Sequence, residues 1–559
     1  MKGLIDIFKT AKNGETVNAI KEEYVFQEKD CESAEIYPSN NDGGKQKVVF
    51  HIKDKKDVTL DGNGARFVFD GKLTPFAIED CENITLRNFT IDFLKPLCVQ
   101  AKILDSNEQY IYLEIEKSRF PYRINGENVV WSLNGGENDC ASIYIFDYDN
   151  DCRTGKKNYI MPNFVIGTHC ENHGDSCLSK TTFDIEYPKY LLVKASEIKS
   201  GQLRLSYLQR SARLFYSKGE RLILMLQQGD RSNDTIFVNN CKNVKFENVT
   251  ISRGLAMGII AQLCENIEIN DCRVAPDTAR GDLISTLADS MMFVDCLGKI
   301  EIKNSLISSS LDDGLNVHGT YSPIDKIVGN KIYMHNGHKQ QRGYLPYRVG
   351  DFLQIIDKNT LKPLENGKVV FAEMNENKSD FIVELDKEIM LSDDVVCNAY
   401  NASAQPIVTV ENCEYYRSTA ILISSEKAVT FKNNKVHTLC GAMRIIDDPS
   451  LWYEAGKTNA VNISGNEFNR CGEWSHDYLI QFLVRGGIGD VFSHRNAVIE
   501  NNVFKGGNTQ ILKAQSVSGL TFKNNKVEII DEISTDLPPV ELEKCENMNI
   551  EEQNYERKI

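Results

Sequence analysis

Two short segments concentrate carboxylates: Leu287-Ala-Asp289-Ser-Met-Met-Phe293 and Ser310-Leu-Asp312-Asp313-Gly-Leu-Asn-Val-His318-Gly319. Carboxylates held close together repel and raise at least one pKa, so a cluster is costly unless it binds a cation or shares protons in acid–base chemistry. Taken alone, Asp-Asp-Gly reads as a solvated turn, because Asp and Gly are favoured there. A third aspartate 23 residues upstream changes that reading if the fold repeats at the same interval. Glycosidic hydrolysis is one reaction that needs such an asymmetric set, a carboxylic acid beside a carboxylate.

The elements that must position the trio do repeat. A phrase of the form apolar, x, x, Cys, x, Asn, apolar, x, apolar, x, Asn recurs around Cys81, Cys241, Cys264 and Cys296, with weaker echoes at Cys413, Asn434, Asn466, Asn502, Asn525 and Cys545. Each copy is a strand of period two closed by Asn or Gly at a turn, and it cannot bury its apolar face alone. Cys241 and Cys264 lie 23 residues apart, about one coil of a parallel β-helix, in which equivalent positions stack at roughly 4.8 Å. Stacked cysteines then form an inner ladder and turn asparagines a polar one. On this spacing Asp289 and Asp312 occupy equivalent places on successive coils, with Asp313 beside them.

The phrase is lost twice, and longer alternating segments such as Tyr110-Ile-Tyr-Leu-Glu-Ile and Phe381-Ile-Val-Glu-Leu replace it. The expected fold is therefore all-β, a right-handed parallel β-helix with inserted antiparallel β-barrel-like domains. The expected division is 1–95 for the first coils, 96–230 for one insert, 231–338 for the core coils with the aspartates, 339–405 for a second insert and 406–559 for the last coils.

Carboxyl groups one coil apart start near the ~5 Å of retaining glycosidases, whereas inverting enzymes need roughly 6.5 to 9.5 Å. Gly314 offers a bend that turns both neighbouring aspartates outward and widens the gap. His318 is placed to tune a carboxylate or bind a hydroxyl, although a histidine at a strand end is equally often structural. A second cluster, Asp447-Asp448-Pro-Ser-Leu-Trp452-Tyr-Glu454-Ala-Gly456, sets an aromatic ring among acids, as a sugar subsite requires; the plain alternative is a loop tied down by a core Trp.

Composition narrows the partners. A net charge of −15 opposes nucleic acid and anionic membranes, and 41% hydrophobic residues supply ample core. Sixteen cysteines without CxxC spacing suit the repeat better than a metal site or a disulfide framework. Charges at Asp6 and Lys9 interrupt any leader-like apolar run, so the chain as given is expected in the cytoplasm, or in the periplasm or medium if a leader has been removed. No membrane partner and no cofactor are expected, and a homodimer is compatible with the sequence.

At Ser285-Thr-Leu-Ala-Asp289 and Asp312-Asp313-Gly-Leu-Asn316-Val-His318-Gly319-Thr-Tyr321, supported by Gly350-Asp-Phe-Leu-Gln-Ile-Ile-Asp357 and Trp452-Tyr-Glu454-Ala-Gly456, the chain resembles glycoside hydrolase family 110, exo-acting α-1,3-galactosidases. The similarity runs over nearly the whole chain. It implies a β-helix bearing β-barrel inserts, metal-free hydrolysis with inversion, Asp312 as general acid, and Asp289 with Asp313 holding and deprotonating the attacking water. Asn316, His318, Asp448, Trp452 and Glu454 are the expected substrate-binding residues. The Ser290-Met-Met292-Phe293 segment, which lacks a histidine before the Phe, and Thr419–Ser425, which lacks an arginine, depart from the family pattern and bear on the sugar accepted. The rivals are a polygalacturonase-like or other β-helix hydrolase of a different glycan, and a non-catalytic carbohydrate-binding β-helix whose aspartates hold calcium.

Overall fold

The computed structural model describes residues 4–5, 10–133, 136–138, 141–147, 152–153, 165–167, 190–207, 218–226, 231–392, 395–473, 475, 477–530, 537–551 and 555–557. It is a right-handed parallel β-helix of three parallel sheets. The first, which carries the site, stacks Thr74–Glu79, Ile236–Asn239, Ile259–Gln262, Met291–Val294, the start of Leu315–Val328, Ile421–Ile423, Met443–Asp447, Ile480–Val484 and Leu512–Lys523. The second runs through Lys242–Ile251, Glu265–Asn270, Leu297–Lys303, Ile407–Glu411 and Ala428–Lys432. The third contains Arg273–Val274, Leu306–Ser308, Glu414–Ser418 and Lys435–Thr438.

The alternation that marked these strands is their burial. Along Lys242–Ile251, Val244, Phe246, Val249 and Ile251 point inward while Lys245 and Glu247 face out. One continuous core runs the length of the coils, and its N-terminal end is a packed set of rings, with Phe50 on Phe76 at 4.7 Å between centres. Such pairs add about 1 kcal/mol to the area they bury.

The single repeated phrase proves to serve two different corners. At the first, Asp80, Asn240 and Asp295 take left-handed backbone, a conformation that Asn and Asp tolerate because their short side chains bond locally. There the Cys81 N–H points at Cys241 Sγ (3.3 Å) and the Cys241 N–H at Cys264 Sγ (3.5 Å), and Cys296 follows in the stack. At the second corner Asn248, Asp271, Asn304, Asn412 and Asn433 are left-handed, and Cys413 belongs here. Its N–H donates to Asn434 Oδ1 (2.8 Å), and the ladder continues through Asn466, Asn502 and Asn525. The same side-chain size and turn chemistry suit both corners, so the phrase does not distinguish them.

Between the coils, Val99–Ser106, Tyr110–Ile115, Gln202–Tyr207 and Arg221–Leu226 belong to a separate, mostly antiparallel sheet with its own core. It docks on the coils through Cys98 and Ile223 against Leu283, Ile284 and Leu311, directly behind the two aspartate segments. The strand Leu315–Val328 changes partners along its length: parallel to Ile421–Ile423 at first, antiparallel to Glu454–Ala455 at Gly319 and Thr320, then antiparallel to Cys397–Asn401 from Tyr321. Antiparallel pairing thus starts well before residue 339, where the sequence loses its Asn-ended phrase. Among the described residues no helix is long and apolar enough to cross a membrane.

Candidate active site

The aspartates sit in the irregular segments that lead into the first sheet. Parallel bridges stack Gly254 on Thr286 and Thr286 on Ser310, and the Ser290 N–H donates to the Asp313 carbonyl (2.9 Å). Met292 pairs with Asn316, an interval of 24 residues, whereas Ile236 pairs with Ile259 after 23. The one-residue difference moves the register: Asp289 lies level with Asp313, and Asp312 stands beside the pair. The expected stacking of Asp289 on Asp312 is corrected accordingly.

Gly314 works differently from the expected bend. Its backbone is not left-handed, and a Cβ there would lie 2.7 Å from Ser418 Oγ and 3.2 Å from Tyr415. Glycine at 314 lets the next coil approach closely, and the Gly314 N–H reaches the Ala420 carbonyl at 2.9 Å.

One carboxyl oxygen from each of Asp289, Asp312 and Asp313 lies within 4.8 Å of the others. Asp289 is 3% exposed, while Asp312 and Asp313 are partly open. Burial, then the charges of Asp312 and Asp313, push Asp289 well above the usual carboxylate range, and burial with Asp312 does the same to Asp313. Opposing them, Arg231 Nη2 binds Asp312 Oδ2 at 2.6 Å, and Arg444 lies in the field of Asp313. Arg444 stands in register with Leu422 of Thr419–Ser425, one coil further on. Burial and mutual repulsion favour the protonated forms of Asp289 and Asp313, the kind of perturbation that acid–base catalysis uses. The same oxygen spacing could also hold a divalent cation.

Glu454 belongs to this centre. Its Oε1 accepts Asn40 Nδ2 (3.0 Å) and Asn316 Nδ2 (3.4 Å), with His318 Nε2 at 3.6 Å. His318 is buried, its Nδ1 2.7 Å from the Gly319 carbonyl oxygen, which fixes the ring. Asn40 comes from an N-terminal loop that walls the site: the Ser39 N–H binds Gln262, Asn41 binds Asp234, and the Arg231 N–H reaches Asp42 Oδ2 at 2.8 Å. Trp452 is half-buried, with its ring 4.6 Å from that of His338. Burial, then Lys339 and Arg231, lower the His338 pKa.

Asp448 does not fit the expected role of a sugar ligand. It is fully buried; Oδ1 accepts the N–H groups of Ser450 and Leu451, while Oδ2 accepts that of Trp452 and pairs with Arg485 at 3.1 Å. With every acceptor position committed, Asp448 shapes the loop that carries Trp452 and Glu454. Asp447 is likewise engaged, by Tyr321 (2.8 Å) and Ser493 (2.8 Å). Arg231, Arg444 and Asn40 carried no signal in the sequence.

Asp234, two coils before Asp289, is buried, and burial raises its pKa from 3.8 to about 7. A carboxyl whose folded pKa is raised contributes its full stability only below the unfolded pKa and loses it as pH climbs towards the folded value. Asp234→Asn, which mimics the neutral acid, is therefore expected to gain melting temperature over the unaltered protein as pH rises from about 4 to about 7. Thermal scans across that range check this; a constant difference between the two proteins would refute it.

No family model matches the chain. Among curated proteins it is similar to alpha-1,3-galactosidase B of Bacteroides thetaiotaomicron, 27% identical over 92% of this chain and 80% of that protein. It is also similar to alpha-1,3-galactosidase A of Shewanella woodyi, 27% identical over 91% of this chain and 80% of the other. Alpha-1,3-galactosidase B of Phocaeicola vulgatus is 28% identical over 99% of this chain and 91% of its own length. Among solved structures, the A-module of an Azotobacter vinelandii mannuronan C-5 epimerase is 9% identical over 96% of this chain and 91% of that one, with a TM-score of 0.32. A Yersinia enterocolitica family 28 exopolygalacturonase is 10% identical over 88% and 74%, also with a TM-score of 0.32. Both superpositions are too low to add to the fold read from the strand pairing itself. Over nine-tenths of its length the chain is thus a relative of curated α-1,3-galactosidases, in keeping with the resemblance of its aspartate motifs to glycoside hydrolase family 110.

Proposed function

We propose that the protein is an exo-acting glycoside hydrolase that releases terminal α-1,3-linked galactose from glycans of the blood group B or linear α-galactosyl type, with inversion. The observation that carries this reading is the convergence of Asp289, Asp312 and Asp313, oxygens within 4.8 Å, beside the Asn40–Glu454 contact that joins an N-terminal loop to a much later segment. Asp312 donates its proton to the glycosidic oxygen as the bond to the anomeric carbon breaks. A water held by Asp289 and Asp313 adds its oxygen to that carbon and gives up a proton to the pair. Asp289 and Asp313 hold and deprotonate that water together, and the Arg444 guanidinium offsets part of the burial and repulsion that raise Asp313. Asn316, His318 and Glu454 present donors and an acceptor to the sugar hydroxyls, and Trp452 with His338 offers a ring to its apolar face.

Retention of configuration is the second reading, favoured by one observation: the oxygens lie closer than the roughly 6.5 to 9.5 Å usual for inverting pairs. A proton NMR time course with an α-1,3-galactosyl disaccharide decides it. Galactose appearing first as the β anomer supports inversion, the α anomer retention, and no cleavage of this substrate removes the galactosidase reading. Hydrolysis is also expected to withstand exhaustive chelation, because protons and positioned carboxyls supply the chemistry. A loss of activity on chelation that calcium restores would assign the trio to a metal instead.

A further inference from the structure

The outward row of the first sheet changes character at the aspartates. On the N-terminal side, Ala77, Phe237, Ile260 and Met292 stand in register, buried against Ile36, Val48 and Tyr344. From Asn316 onward the same row reads Leu422, Arg444, Gln481, Lys513 and Glu541. Arg444 Nη2 meets Asp477 Oδ2 at 2.6 Å while its Nε is buried without a hydrogen-bond partner. Lys513 meets Glu541 at 2.7 Å. These four side chains are 19–33% exposed. The N-terminal side is closed by apolar packing and by the loop that carries Asn40 and Asn41, so a glycan bound at the aspartates has its polar exit along the C-terminal coils.

We propose that Arg444, Asp477 and Lys513 form the subsite for the leaving-group portion of a neutral oligosaccharide, which runs from the aspartates along the later coils. The proposal rests on the glycosidase reading above. At about 4.8 Å per coil, Arg444 lies roughly 10 Å beyond Asn316 and Lys513 roughly 19 Å. An Arg–Asp and a Lys–Glu pair offer donors and acceptors together with no net charge, which matches sugar hydroxyls better than an anionic polymer.

The test compares kcat/KM for an α-1,3-galactosyl-capped tetrasaccharide with that for an aryl α-galactoside, in the unaltered protein, Lys513→Ala, Lys513→Gln and Asp477→Ala. The ratio of tetrasaccharide to aryl substrate is expected to fall about tenfold in Lys513→Ala and Asp477→Ala, the size of one lost hydrogen bond to a charged group, and to recover in part in Lys513→Gln. A ratio unchanged in both alanine variants overturns the subsite while leaving the hydrolase reading intact. If the unaltered protein cleaves neither substrate, the galactosidase reading fails, and the subsite with it.

Discussion

Asp312→Asn is expected to lower kcat on a galactosyl disaccharide by about a thousandfold, within the range that a positioned general acid supplies. The amide keeps the shape of the carboxyl and its oxygen can still accept the bond from Arg231, so circular dichroism and melting temperature should hardly change. The substitution also removes one of three mutually repelling carboxyls, which favours folding. A substrate whose leaving group needs no proton, such as α-galactosyl fluoride, isolates the acid role: Asp312→Asn should lose far less on it than on the disaccharide. Equal losses on both would move Asp312 from acid to base, and full activity would remove it from catalysis.

Gly456→Ala is expected to destabilise the fold by about 3 kcal/mol and to cost on the order of a hundredfold in kcat/KM. A Cβ at 456 would sit 1.5 Å from the Ile446 carbonyl oxygen, a backbone atom that cannot rotate away, so the segment must move as a whole. That segment holds Glu454 through the pairing of Glu454–Ala455 with Gly319–Thr320. A displacement of Glu454 loosens its contacts with Asn40, Asn316 and His318 together. Thermal denaturation and steady-state kinetics measure the two effects; a variant indistinguishable from the parent on both would show that Ile446 and Gly456 are not packed as described. Gly314→Ala should be milder, because its nearest neighbour is the Ser418 hydroxyl at 2.7 Å, a side-chain atom rather than a backbone oxygen at 1.5 Å.

Alternation of apolar residues, left-handed turns at Asn and the Cys ladder are local properties, so the sequence by itself determined the coil, its period and the face to be buried. It also determined that the aspartates recur at about one coil's interval. What only the tertiary structure decided depends on count and on distance along the chain. A single extra residue in the coil, Met292 to Asn316, set Asp289 level with Asp313, since register follows the hydrogen bonds between coils rather than residue type. Asp448 and Glu454 look alike in the sequence, yet burial among backbone N–H groups ties up the first while the second opens towards the aspartates. Arg231 meets Asp312 across 81 residues and Asn40 meets Glu454 across 414. Only the stacking of coils brings such distant groups together, and no local pattern announces them.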